Sequence, residues 1–256
     1  MIQSKLKKRI ISLLLAFVML FGTVPASVFA ETKTVQQTTS KSYPFTDIRE
    51  YEWYEKYIDY VWEHSIFYGL TDTLLGPEEE LTRGMFVTVL GRIVKADIDE
   101  YTEQVFPDVD PSMWYGRYVA WAADKGIAYG MENGDFAPDA YVTRQQIAAF
   151  LYRFLQMEGK DVEGAELTYN DKDQIADYAK KAAAVCLELG FIVGDSTNTF
   201  RPNDNANRAE AAAICSRLHK YLNEEGNSDV VNYYNVKIDY PVSMSAEDKD
   251  ATIMPA

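Results

Sequence analysis

Three arginines carry the clearest chemical signal in this sequence. Arg83, Arg144 and Arg208 each directly follow a residue suited to start a helix, Thr82, Thr143 and Asn207. A guanidinium stays charged at physiological pH and meets a carboxylate with two parallel hydrogen bonds. A helix N-terminus adds unpaired N–H groups and a partial positive charge. Together they predict recognition of an anion. Ion pairing with surface carboxylates is the competing assignment, and spacing alone does not separate the two.

These arginines recur because the chain does. Phe45, Gly69, Pro77 and Thr82-Arg83 reappear as Phe106, Gly130, Pro138 and Thr143-Arg144, each 61 residues later. A third copy runs through Tyr169, Gly194, Pro202 and Asn207-Arg208, with Asp47, Asp108 and Asp171 in register. A fixed period of this length means one structural unit used three times.

Each unit reads as two helices joined by a turn-rich loop. In the second copy Tyr115, Tyr118, Val119, Ala122 and Ala123 fall at three- and four-residue spacing, as Tyr54, Tyr57, Ile58, Val61 and Trp62 do in the first. Gly126 closes that helix, and Pro138 keeps the following loop from continuing as helix. Thr143 with Gln146 forms a capping box for the second helix, as does Asn207 with Glu210, whereas Met85 leaves the box after Thr82 open. The second helix carries an apolar face of Ile147, Ala148, Leu151, Phe154 and Leu155, matched by Phe86, Val87, Leu90, Ile93 and Val94. These faces must pack on each other or on neighbouring copies. One copy of about sixty residues is marginal alone, whereas three can share a core.

The ends differ from this body. Residues 1–30 have a basic start, an apolar run from Ile10 to Phe21 and small residues before Glu31, the order of a secretory signal peptide. Without that segment the chain holds 21 Lys+Arg against 39 Asp+Glu, a net charge of −18. So acidic a surface argues against nucleic acid and anionic lipid as partners. Residues 31–43 read as a polar linker, and Tyr234, Val236, Ile238 and Tyr240 alternate as one short strand within a C-terminal tail, residues 224–256. Cys186 and Cys215 lie on apolar helix faces and read as core residues, with a disulfide between helices the alternative.

Other chemistries fail on spacing. Asp171-Lys172-Asp173 opens like a calcium loop, but Ala176 and Ala182 occupy its sixth and twelfth positions. With His64 and His219 as the only histidines and no cysteine pair at ligand spacing, zinc is unsupported. No nucleophile elbow, P-loop or dinucleotide fingerprint occurs, and no carboxylate pair stands out for glycoside hydrolysis. The expectation is a chain without enzymatic activity, metal or cofactor.

The combination of an opening aromatic-x-Asp, Trp53-Tyr54 and Trp114-Tyr115, the Gly126-to-Gly130 and Gly190-to-Gly194 turns and the Thr-Arg start resembles the S-layer homology domain. The resemblance covers residues 44–223, divided as 44–100, 101–163 and 164–223. It implies an all-α, pseudo-three-fold spindle of three helix-loop-helix repeats. It implies a secreted protein at the cell wall, holding secondary cell-wall polysaccharide through a pyruvate ketal in grooves between repeats. Surface-layer assembly through protein contacts is the alternative function, and a wall-remodelling enzyme a further one.

In the family the signature Thr-Arg-Ala-Glu supplies the key arginine; here it reads Thr82-Arg83-Gly84-Met85, Thr143-Arg144-Gln145-Gln146 and Asn207-Arg208-Ala209-Glu210. Copy two keeps most of the pattern, which ranks its groove first. The candidate ligand residues are Arg83, Arg144, Arg208, Gln146 and Glu210, with three further sets. Trp53 and Trp114 would stack on a sugar or anchor the first helix. Asp47, Asp108 and Asp171 would bond sugar hydroxyls or cap a helix. Gly69, Gly130 and Gly194 would supply positive φ or admit the ligand closely.

Overall fold

The computed structural model describes residues 41–223, so the signal-peptide segment, most of the linker and the C-terminal strand expected above lie outside the described residues. Six helices account for the repeats: α1 (Glu55–Glu63) and α2 (Arg83–Ile93) in copy one, α3 (Gly116–Asp124) and α4 (Arg144–Met157) in copy two, and α5 (Asp177–Glu188) and α6 (Arg208–Asn223) in copy three. A single 3-10 turn, Lys172–Gln174, precedes α5. The described residues contain no β-sheet, and the all-α expectation holds.

The helix boundaries follow the capping chemistry. Thr143 Oγ1 accepts from the Gln146 amide while Gln146 returns a bond to the Thr143 N–H, closing the box at α4. Asn207 and Glu210 exchange the same pair at α6. At α2 only the Thr82 half exists, accepting from Met85 N. The first helices end on a left-handed residue, Gly126 (φ 68°) after α3, Gly190 (φ 64°) after α5 and Ser65 (φ 57°) after α1. Serine takes up there a conformation that glycine adopts without strain.

The second helices bury nearly all their apolar residues. Phe86, Val87 and Leu90 of α2, Ile147, Ala148, Leu151, Phe154 and Leu155 of α4, and Ala211, Ala212 and Cys215 of α6 are essentially inaccessible. α2 packs against both α4 and α6. Each second helix then receives the first helix of the following copy: α3 on α2, α5 on α4 and, closing the ring, α1 on α6. The amphipathic face of a first helix is thus satisfied by its neighbour, and the core is continuous across all three copies. Cys186 and Cys215 are both buried free thiols within that core. Burial pushes both thiols far above their ordinary pKa, which leaves them unreactive in the folded state.

One-residue bridges complete the ring. Leu81 N donates to Ala206 O (2.9 Å), Ala206 N to Val142 O (3.0 Å) and Val142 N to Leu81 O (2.9 Å). This triangle of backbone bonds places the starts of α2, α4 and α6 around one pseudo-three-fold axis.

Candidate functional site

The arginines lie at the seams between copies, and their own copy is not what holds them. Arg83, Arg144 and Arg208 are 4–5% exposed. Arg83 Nε donates to Phe136 O (2.9 Å) and its Nη2 to Tyr129 O (3.3 Å), both in copy two. Arg144 repeats this on Phe200 O (2.7 Å) and Val193 O (3.3 Å) of copy three. Arg208 closes the cycle on Leu75 O (2.7 Å) and Tyr68 O (2.7 Å) of copy one. Two nitrogens of each guanidinium therefore clamp the next copy's loop.

The helix N-termini are used in the same way, which corrects the expectation that their N–H groups await a ligand. Arg83 N and Gly84 N donate to Ala140 O and Pro138 O, Arg144 N and Gln145 N to Asp204 O and Pro202 O, and Arg208 N and Ala209 N to Glu79 O and Pro77 O. The third amide of each helix goes to its cap. Carbonyls of the neighbouring copy have satisfied the orphan donors, so any anion must be met by guanidinium nitrogen.

The remaining nitrogen, Nη1, distinguishes the seams. The fourth signature residue faces the arginine of the preceding copy. In the seam of copies two and three, Arg144 Nη1 lies 3.3 Å from Glu210 Oε1. In the seam of copies three and one the same position is Met85, with Sδ 4.0 Å from Arg208 Nη1. Copy two carries Gln146 at that position. Among the described residues no carboxylate forms an ion pair with Arg83 or Arg208. Arg144 alone of the three pairs with a carboxylate, which sets the arginine of copy two apart from the other two.

A second arginine, which the sequence reading passed over, stands nine residues after each clamp: Arg92, Arg153 and Arg217. The periodicity marked these positions, but an arginine late in an otherwise apolar helix reads as a solvated end. Arg92 stacks over Tyr68 (4.3 Å) and Arg153 over Tyr129 (4.5 Å), cation–π contacts on half-exposed rings. Tyr68 and Tyr129 are the residues whose carbonyls the clamps hold, so each of these two seams gathers two guanidinia and a tyrosine. Tyr178 of copy three adds its ring near Arg83 and Arg153; desolvation raises its pKa while both cations oppose the rise. Burial lowers the pKa of Arg208 to about 10, with Arg92 acting in the same direction and Asp47 against it. Desolvation likewise lowers Arg83. A cation stripped of water beside a second cation gains more from an arriving anion than an exposed one does.

The other candidates fall away from the guanidinia or serve the loops. Asp47 accepts from Leu75 N (2.9 Å) and Gly76 N (2.6 Å), Asp108 from Phe136 N (2.8 Å) and Ala137 N (2.6 Å), and Asp171 from Phe200 N and Arg201 N (both 2.7 Å). None makes a side-chain cap to a helix, although Asp171 stands at the start of the 3-10 turn; they set the bend before Pro77, Pro138 and Pro202. Gly69, Gly130 and Gly194 do not have positive φ. Each instead admits the opening aromatic of its own copy: a side-chain carbon would meet the rings of Phe45 (2.6 Å), Phe106 (3.1 Å) and Tyr169 (3.1 Å). Trp53 packs edge-on against Tyr54 and Tyr57, and Trp114 against Tyr115. Trp114 keeps 53% of its surface exposed and so is no core anchor.

The family model of the S-layer homology domain matches residues 44–84, 105–148 and 168–212, one stretch per structural copy. The chain belongs to the S-layer homology domain family. As an S-layer homology protein it is 25% identical over 224 residues to the S-layer protein EA1 of Bacillus anthracis, covering 88% of this chain and 25% of that protein. It is 28% identical over 184 residues to a cellulosome-anchoring protein of Acetivibrio thermocellus, 70% of this chain and 40% of that one. An endoglucanase of Bacillus sp. (strain KSM-635) matches at 28% over 224 residues, 84% of this chain and 23% of the enzyme. The chain thus spans less than half the length of each of these relatives. Among the described residues no helix is long and apolar enough to cross a membrane.

Proposed function

We propose that this chain is a non-catalytic anchoring module of the cell surface that holds an anionic, pyruvylated wall polysaccharide in the seams between its copies. The observation that carries this reading is the state of Arg83 and Arg208. Each is a buried cation with no carboxylate paired to it, beside a second arginine, in a protein whose formal net charge is −14. In so acidic a molecule, leaving two desolvated guanidinia with only the more distant charges of Asp108 and Asp47 and no ion-pair partner suits an anion that arrives from outside. Tyr68 and Tyr129, about half exposed, give a sugar ring a face to rest on next to that charge.

The names of the relatives agree with such a role. One is an anchoring protein and one an S-layer protein, and the endoglucanase is matched over under a quarter of its length. Trp53, Trp114 and Gln146 remain candidates for the rim of these seams. Two sites on one rigid body raise avidity for a repeating polymer where its units can reach both.

The test is co-sedimentation of the protein with purified cell wall before and after mild acid removes the pyruvate ketals. Binding should vanish with the ketals. The Tyr68→Ala, Tyr129→Ala double variant should bind at least tenfold more weakly without a matching loss of thermal stability, because both residues are about half exposed and lie outside the shared core. Binding that survives acid treatment, or a double variant that binds as the parent does, would overturn the proposal.

A further inference from the structure

The seam of copies two and three is built differently from the other two. We infer that Glu210 is an internal substitute for the ligand carboxylate there, closing this seam, so that the chain takes up two anionic sugars rather than three. The inference rests on reading the other seams as carboxylate sites.

Glu210 is well buried, and its Oε1 stands 3.3 Å from Arg144 Nη1 and 2.7 Å from Arg201 Nη2. One carboxylate oxygen thus bridges two guanidinia, the arrangement an incoming ketal carboxylate would need. Arg201 is peculiar to copy three: its counterparts before the conserved-spacing prolines are Gly76 and Ala137. Its left-handed backbone, φ 56°, is shared with Gly76 (φ 71°) and Ala137 (φ 57°), so the loop itself sets it and only the side chain is new. Its Nε is buried without a hydrogen-bond partner, and Asp195 and Asp204 flank the guanidinium at 3.7 and 3.5 Å. Arg201 and Arg144 therefore hold the same carboxylate oxygen of Glu210.

The remaining groups of the seam are also engaged. Val193 occupies the position of Tyr68 and Tyr129, removing the sugar platform. Arg217, the counterpart of Arg92 and Arg153, is 8% exposed and donates to Phe191 O (3.0 Å) and the Tyr57 hydroxyl (3.3 Å). The cleft left among Arg144, Val193, Glu210 and Arg217 has room for about one water molecule. A ligand would have to displace from Arg144 a largely buried carboxylate that Arg201 and the Asn207 N–H hold in place, a large penalty. This seam holds the ring together without exchanging ligand.

The experiment is calorimetric titration of the full chain and its Glu210→Gln and Glu210→Ala variants with the methyl glycoside of a hexose carrying a pyruvate ketal. Thermal unfolding with sodium pyruvate against sodium chloride at equal ionic strength accompanies it. The parent should bind two equivalents and the Glu210→Ala variant three. Pyruvate should raise the unfolding temperature of Glu210→Ala by several degrees more than that of the parent, since the small carboxylate refills the vacated cradle. A parent that already binds three equivalents would overturn the inference. So would a folded Glu210→Gln variant still limited to two, or equal pyruvate responses in parent and variant. A parent that binds no glycoside would refute the wall-polymer reading and with it the count of two; pyruvate rescue of Glu210→Ala would then support only the part of the inference in which Glu210 fills a carboxylate cradle.

Discussion

Replacing Arg208 with alanine tests whether the seam arginines hold the fold together as well as carrying charge. The side chain gives two charged hydrogen bonds to copy one, each 2.7 Å long, to Leu75 O and Tyr68 O. Hydrogen bonds from charged groups contribute about 1.5–3 kcal/mol each, and a buried carbonyl left without its donor costs at the upper end of that range. Leu75 is fully buried; Tyr68 is half exposed and its carbonyl can regain water. The sum is a destabilisation of about 3–5 kcal/mol. A body of this size loses about 2–4 °C per kcal/mol, so the unfolding temperature should fall by about 6–20 °C. Arg208→Lys keeps the charge but not the two-pronged reach, and should lose about half as much. Thermal unfolding followed by circular dichroism measures the drop, with Arg92→Ala as control, because Arg92 stacks on a half-exposed tyrosine worth about 1 kcal/mol or less. A drop below about 2 °C for Arg208→Ala would refute the clamp. The clamp also means that loss of wall binding in an arginine variant must be read against its stability, which is why exposed tyrosines are the cleaner probes.

Two further predictions follow from particular environments. A side-chain carbon at Gly69 would press on backbone, Thr71 O and Leu74 O (2.8 Å), whereas at Gly130 the nearest atoms lie at 3.1 Å and include a ring that can shift; Gly69→Ala should therefore destabilise by about 1–3 kcal/mol and Gly130→Ala by clearly less, and equal unfolding temperatures would contradict this. His219, bonded through Nδ1 to the Tyr60 hydroxyl where α6 meets α1, has its pKa lowered first by burial and then by His64 and Lys95. The unfolded chain then binds this proton more readily than the folded one, so its contribution is fully present above about pH 6.5 and is lost as pH falls toward the folded value. The unfolding temperature should drop between pH 7 and 5 by more in the parent than in His219→Gln, and superimposable profiles would exclude the linkage. Asp195, held down to about 2 chiefly by bonds from Thr197 and Thr199 against the effect of its burial, titrates below that window.

The sequence by itself determined the local structure. Capping pairs such as Thr143 with Gln146 and the apolar stripe of α4 are contacts between residues three or four apart, so one-dimensional spacing encodes them. The 61-residue echo announced three equivalent units, and the missing return residue at Met85 correctly left one box open. Tertiary structure alone decided what those units do to one another. That α3 packs on α2 and α1 on α6 is a choice among equally apolar faces, which composition cannot rank. Asp47, Asp108 and Asp171 bond amides about 28 residues downstream, beyond any capping pattern. The fate of the arginines depended on position most of all. Arg83, Arg144 and Arg208 share one local motif, yet Arg144 meets Glu210 from 66 residues away while Arg208 meets Met85 from 123. Charge acts through space at a few ångströms, so which of the three arginines pairs with a carboxylate was decided only when the ring closed.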